Sequence, residues 1–141
     1  MKAYKTSCDK LSGTDYSEVI KSARQEYHAI QKRTPRRQPY IRSRYFKKDK
    51  IFINQFWVHL NQKTPADRLR RIKYFSCGVF VIRNCPYPPD TMQNPSKANE
   101  ILHRYTALTK SGELFYVQIR ENKVSKRKDF ISVFPGKVYK K

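Results

Sequence analysis

Acidic side chains are scarce in this chain: 11 Asp and Glu stand against 31 Lys and Arg among 141 residues, a formal charge of +20. The carboxylates form no DxD, ExK or HExxH cluster. A metal site needs several ligands converging, so this spacing counts against a metal nuclease, although carboxylates from distant positions could still meet in the fold. The expectation is chemistry without a metal or cofactor. Cysteine is rare too. Cys8, Cys77 and Cys85 are odd in number and have neither CxxC spacing nor a paired His motif, which disfavours a disulfide framework and a zinc site. They read as reduced thiols in a cytoplasm, with Cys77 a small buried apolar group. No apolar run approaches the roughly 18 residues of a membrane span, and the opening MKAYKTSCDK lacks the apolar core of a signal peptide. These absences point to a cytoplasmic protein with no membrane partner.

What is abundant is positive charge, far more than solubility requires, and such a field attracts polyanions. The expected partner is phosphate-rich. At 38% hydrophobic and 13% aromatic, the chain can still build a core, and residues 1–141 read as a single domain.

From Thr14 the positions Tyr16, Val19, Ile20, Ala23, Tyr27 and Ile30 recur at three and four, the stripe of an amphipathic helix reaching about Arg33. Thr14 is the expected cap, and Thr34-Pro35 the stop. Residues 32–50 then hold nine Lys/Arg against Asp49 alone, interleaved with Tyr40, Tyr45 and Phe46. This segment reads as a strand or an extended arm, and its density suits backbone contacts plus base stacking, with Arg42 and Arg44 touching phosphate. A second helix is predicted from about Lys50 to Asn61, with Phe56 and Trp57 in the core. A third runs from a Thr64 cap, with Pro65 in its first turn and Asp67 completing T-x-x-D, to about Asn84. His28 and His59 read as ordinary surface or boundary residues on helices. Residues 85–99, with four prolines, form an ordered connection.

The C-terminal third changes period. ILHRYTAL, LFYVQIR and DFISVF read as three antiparallel strands, the first two joined by a hairpin at Thr109–Gly112. The predicted fold class is α+β: N-terminal helices over about 14–84, followed by a small antiparallel β-sheet over about 100–135.

Alternation puts Phe115, Val117 and Ile119 on one face of the second strand and Tyr116, Gln118 and Arg120 on the other. On the third strand Ile131 and Val133 are expected to be buried, leaving Phe130, Ser132 and Phe134 on the open face. With Gly112 as a left-handed bulge, Arg104 aligns with Gln118 and Thr106 with Tyr116, directing His103 inward. A tighter Ser111-Gly112 turn would bring His103 and Tyr105 to the open face instead. The first register is preferred because the second buries Arg104 and Thr106. An open face carrying Arg, Gln, Ser and Tyr, bordered by Lys110, Lys126 and Lys128, suits a phosphodiester. RNA brings its own nucleophile, the 2′-hydroxyl, so the protein need only move protons and stabilise charge. The candidate catalytic residues on that face are Arg104, Gln118, Arg120 and Ser132, and His103 is the natural base or acid in the register that turns it to the site; in the other a desolvated Lys or Tyr, or positioning alone, has to suffice. A rival reading is a non-catalytic nucleic-acid binder using residues 32–50 and the helix face of Arg68, Arg70, Arg71 and Lys73.

The run RYFKKDKIFINQFWVHLNQKTPADRLRRIKYFSCGVFVI, followed by LHRYTALTKSGELFYVQIRENKVSKRKDFISVFP, resembles the phage- and mobile-element-associated nuclease-like proteins of the BECR group, which joins barnase, EndoU, the tRNA-cleaving colicins and RelE-type toxins. The resemblance covers about residues 40–135. It implies helices preceding a four-stranded antiparallel sheet that carries the site, metal-independent cleavage of tRNA or mRNA, and, for a toxin, an acidic antitoxin or immunity partner. Carried onto matching positions, it points to His103, Arg104, Arg120 and Ser132. The fourth strand would come from Val138–Lys140 or from Tyr40–Phe46. No Glu/His acid-base pair of the barnase type can be assigned from the sequence.

Overall fold

The structure is a computed structural model and describes residues 3–34 and 38–136. Helix α1 (Tyr16–Lys32) follows the predicted stripe, and buries Val19, Ala23 and Ile30. Its cap is Asp15, one residue later than expected: the carboxylate accepts from the Ser17 amide at 3.1 Å and from the Ser17 hydroxyl at 2.9 Å.

The basic segment folds as a hairpin, β2 (Tyr40–Ser43) and β3 (Asp49–Phe52), in antiparallel register with Tyr40 opposite Phe52. Ile41, Ser43 and Ile51 point into the core, so the helix predicted from Lys50 begins only at Gln55, as α2 (Gln55–Asn61). The expected third helix is two. Thr64 caps α3 (Pro65–Ile72), accepting from the Asp67 amide at 3.3 Å, and the chain turns at Lys73–Tyr74 before α4 (Phe75–Asn84). The break is paid for by Tyr74, whose ring stacks on Phe115 at 5.4 Å and whose hydroxyl donates to Glu113 at 3.2 Å. Burial beside that carboxylate pushes the Tyr74 phenol up to about 12. Redirected in this way, α4 lies close on the sheet: a Cβ at Gly78 would meet the Phe130 ring at 2.9 Å.

The sheet overturns the fold expected from the sequence. It is neither small nor purely antiparallel but a seven-stranded mixed sheet, curled into a half-barrel. Its order is β1 (Tyr4–Lys5), β5 (Glu100–Leu108), β6 (Leu114–Asn122), β7 (Lys128–Pro135), β3, β2, and β4 (Asp90–Gln93) also pairs with β5. The contacts of β1 with β5 and of β3 with β7 are parallel. Four of the seven strands have two to four residues each, too few for an alternation to stand out in the basic or proline-rich sequence around them. Such segments become strands through the backbone groups of their neighbours and not through their own propensity. Val138–Lys140, one proposed source of a further strand, lies outside the described residues. No described helix is long and apolar enough to cross a membrane.

The β5–β6 hairpin adopts the register with Arg104 opposite Gln118 and Thr106 opposite Tyr116. Gly112, at φ +91°, supplies the left-handed turn, and the Thr109 amide donates to the Glu113 carbonyl at 2.9 Å. Between β6 and β7 a bulge at Gln118/Ile119 shifts the pairing by one residue, so that Ile119 faces Phe130 and Arg120 faces Asp129. Phe130 therefore sits in the core against Phe56 and Phe75, not on the open face.

Candidate functional site

The bulge decides which side chains share the outer face of the sheet. Arg104, Gln118 and Ser132 form one row across β5, β6 and β7, and Leu102, Arg120 and Asp129 form the next. Around the second row lies an open cleft of about 400 Å³, lined by Gln38, Gln55, Glu100, Arg120, Arg127 and Asp129 among others. Arg120 sits between two carboxylates, with Nε 3.9 Å from Glu100 and Nη2 3.8 Å from Asp129. Those separations hold the guanidinium by charge but exceed hydrogen-bond length, which leaves its donors able to engage a phosphate. Arg127 binds Asp129 at 3.2 Å and lays its guanidinium 4.1 Å over the Phe52 ring. Two of only eleven carboxylates thus meet two arginines in one cleft.

In the adjoining row the Arg104 Nη2 donates to Gln118 Oε1 at 3.4 Å, and Arg71 of α3 donates from Nη1 to the Ser132 hydroxyl at 2.6 Å. Arg71 is fixed in turn by Asp67, at 3.1 Å. Arg104 stands 5.6 Å from the Tyr116 ring centroid and 5.3 Å from that of Phe134, while Arg71 stands 5.2 Å from Phe134. Four of the expected catalytic residues, Arg104, Gln118, Arg120 and Ser132, accordingly lie on adjacent rows of one face.

His103 does not join them. It points to the inner face, where it is 6% exposed, with Nδ1 2.8 Å from the Thr91 hydroxyl and Nε2 2.8 Å from Glu121. Lys128, expected at the border of the open face, is turned inward by the bulge and donates to Asp49 at 2.6 Å. The remaining nucleic-acid candidates are at the surface. Arg42 is exposed on β2, 5.3 Å over Tyr40, and donates to the Lys48 carbonyl; Arg44 reaches the Asn84 carbonyl at 3.4 Å. Arg70 is exposed and paired with Asp67, Lys110 and Lys126 are exposed in turns, and Thr106 and Tyr116 are half-buried on the outer face.

The imidazole next to the outer-face arginines belongs to a residue that sequence reasoning set aside. His59 lies on α2, one turn from the cleft residue Gln55, and lines a small hollow with Lys63, Arg71 and Ser132. Burial lowers its pKa below 6.5, Arg120 and Lys63 add to the effect, and Glu100 and Asp129 oppose it. The one sequence signal was the four-residue spacing of Gln55, His59 and Lys63, a polar stripe beside the apolar Phe56 and Leu60. Among the described residues no three His, Cys, Asp or Glu side chains are grouped so as to hold a metal ion. Chemically, the hollow offers an imidazole whose neutral form is favoured, the Arg71 guanidinium and the Ser132 hydroxyl, with Arg120 within electrostatic reach.

No family model matches this chain, and neither a curated protein nor a solved structure does.

Proposed function

We propose that the protein is a metal-independent endoribonuclease of toxin type, acting on tRNA or mRNA in the cytoplasm. The observation that carries this reading is the placement of His59, its pKa lowered by burial, within electrostatic reach of Arg120, Glu100 and Asp129 and beside Ser132 and Arg71. In this mechanism neutral His59 accepts the proton of a ribose 2′-hydroxyl. The 2′-oxygen bonds to phosphorus, the bond to the 5′-oxygen breaks, and that oxygen takes a proton from water. A 2′,3′-cyclic phosphate remains. Arg120, with Arg71 and Arg104 beside it, stabilises the charge that accumulates on the phosphoryl oxygens. The role first assigned to His103 passes to His59, because His103 is held behind the sheet. The acidic partner expected for a toxin would cover this positive face.

A second reading, a non-catalytic nucleic-acid binder, is favoured by one feature: Arg71, Arg120 and Arg127 each already have a carboxylate partner. Incubation of the purified protein with total RNA in EDTA, followed by mapping of the ends, separates the two. Cyclic phosphate ends that vanish in His59→Ala support the enzyme. RNA that is bound but never cut supports the binder.

A further inference from the structure

We propose that the substrate is single-stranded RNA, held across the outer sheet face by two arginine-faced aromatic shelves that meet at the cleft. This rests on RNA being the ligand, and it adds the strandedness and the path. One shelf is Tyr116 and Phe134, opposite each other on β6 and β7, with ring centroids 5.5 Å apart and Arg104 over both. The other is Tyr40 and Phe52, opposite each other on β2 and β3 and 6.0 Å apart. Here Arg42 and Lys50 lie 5.3 and 4.9 Å from the Tyr40 ring, and Arg127 lies over Phe52.

The register sets the cleft at the corner where the two shelves meet. Phe52 is opposite Asp129, which is opposite Arg120. Tyr116 precedes Arg120 by four residues on the same face of β6, a rise of about 13 Å, and Tyr40 is three strand spacings from Arg120, about 14 Å. One offset runs along the strands and the other across them, so an RNA strand that lies on both shelves and bends between them has Arg120 on the inside of the bend. All four rings are half-buried on the face away from the core, so packing accounts for only part of their surface.

The chemistry selects an unpaired strand. Bases stack on aromatic rings and on guanidinium planes alike, and a guanidinium lying on a ring is oriented in advance to receive one. In a duplex the base faces are already stacked on each other, so a duplex gains only from the charge. Protein that merely tracked a backbone would need no rings beneath its cations.

The test is binding of a 2′-O-methyl oligonucleotide of about 12 nucleotides, a length within the site sizes of such surfaces and without the hydroxyl needed for cleavage. It is measured as a single strand and annealed to its complement, at physiological salt. The single strand should bind at least about tenfold more tightly, and Tyr116→Leu and Phe52→Leu should each weaken it about tenfold while leaving duplex affinity unchanged. Equal affinity for both forms overturns the proposal, as do leucine variants that melt like the wild type and bind both forms normally. Should a leucine variant fail to fold, the comparison of single strand and duplex on the wild type still decides. Because the probe cannot be cut, tight single-strand binding by a protein that leaves ordinary RNA intact refutes the nuclease reading alone.

Discussion

Replacing Arg120 by alanine is the perturbation that separates catalysis from architecture. The side chain is 24% exposed and its carboxylate partners stand at 3.8 and 3.9 Å, so the ion pairs it loses contribute at most about 0–1 kcal/mol to folding. Neither partner is stranded. Asp129 keeps Arg127 at 3.2 Å, and Glu100 keeps the Asn94 amide at 2.9 Å and the Lys97 ammonium at 3.8 Å. The cleft itself changes sign. Two arginines against two carboxylates become one against two, so an approaching phosphate loses a donor and meets an excess of negative charge. A lost transition-state donor of this kind costs about 10²- to 10³-fold in rate, or about 3–4 kcal/mol. Binding, spread over many cations, falls far less. Arg120→Lys keeps the charge without the bidentate fork and should lie between. The assay is single-turnover cleavage of a labelled RNA in EDTA, with a thermal melt of each variant. Full activity in Arg120→Ala, or loss of cleavage matched by loss of folding, refutes the reasoning.

Cleavage should show an acidic limb. His59 acts as a base only when neutral, so kcat/KM rises with pH and levels off above a pKa that burial has placed below 6.5; a profile flat from pH 5 to 8 removes His59 from the mechanism. The same group makes stability fall as pH drops through 6.5 toward its folded pKa, since the unfolded chain takes up the proton first, and that fall should disappear in a melting series on His59→Gln. Ile72→Ala, at a fully buried position, should cost about 2–5 kcal/mol in urea unfolding, and Leu69→Ala less because Leu69 is only partly buried. Affinity for RNA should drop steeply between low and physiological salt, and Arg42→Ala should weaken all RNAs alike without lowering the melting temperature.

How much of the chain was legible follows from the range of the interactions involved. The stripe of α1, the Thr64 cap and the hairpin register at Gly112 depend on neighbours within a few residues, and the sequence by itself determined them. The same alternation placed Arg104, Gln118, Arg120 and Ser132 on a common face before any tertiary contact was known. The preferred register also directed His103 inward, and the hairpin adopts it. Only the tertiary structure decided the rest. β1, β3 and β4 exist because β5 and β7 offer them unpaired backbone groups. The break at Lys73–Tyr74 exists because the Tyr74 ring and hydroxyl find partners thirty-nine or more residues away. A one-residue bulge reversed the faces of Phe130 and Lys128 and set Asp129 opposite Arg120, and no local pattern announces a bulge inside a regular alternation. His59 is the clearest case, since its role depends on Glu100, Arg120 and Asp129, groups 41 to 70 positions away that come near it only once α2 packs on β7.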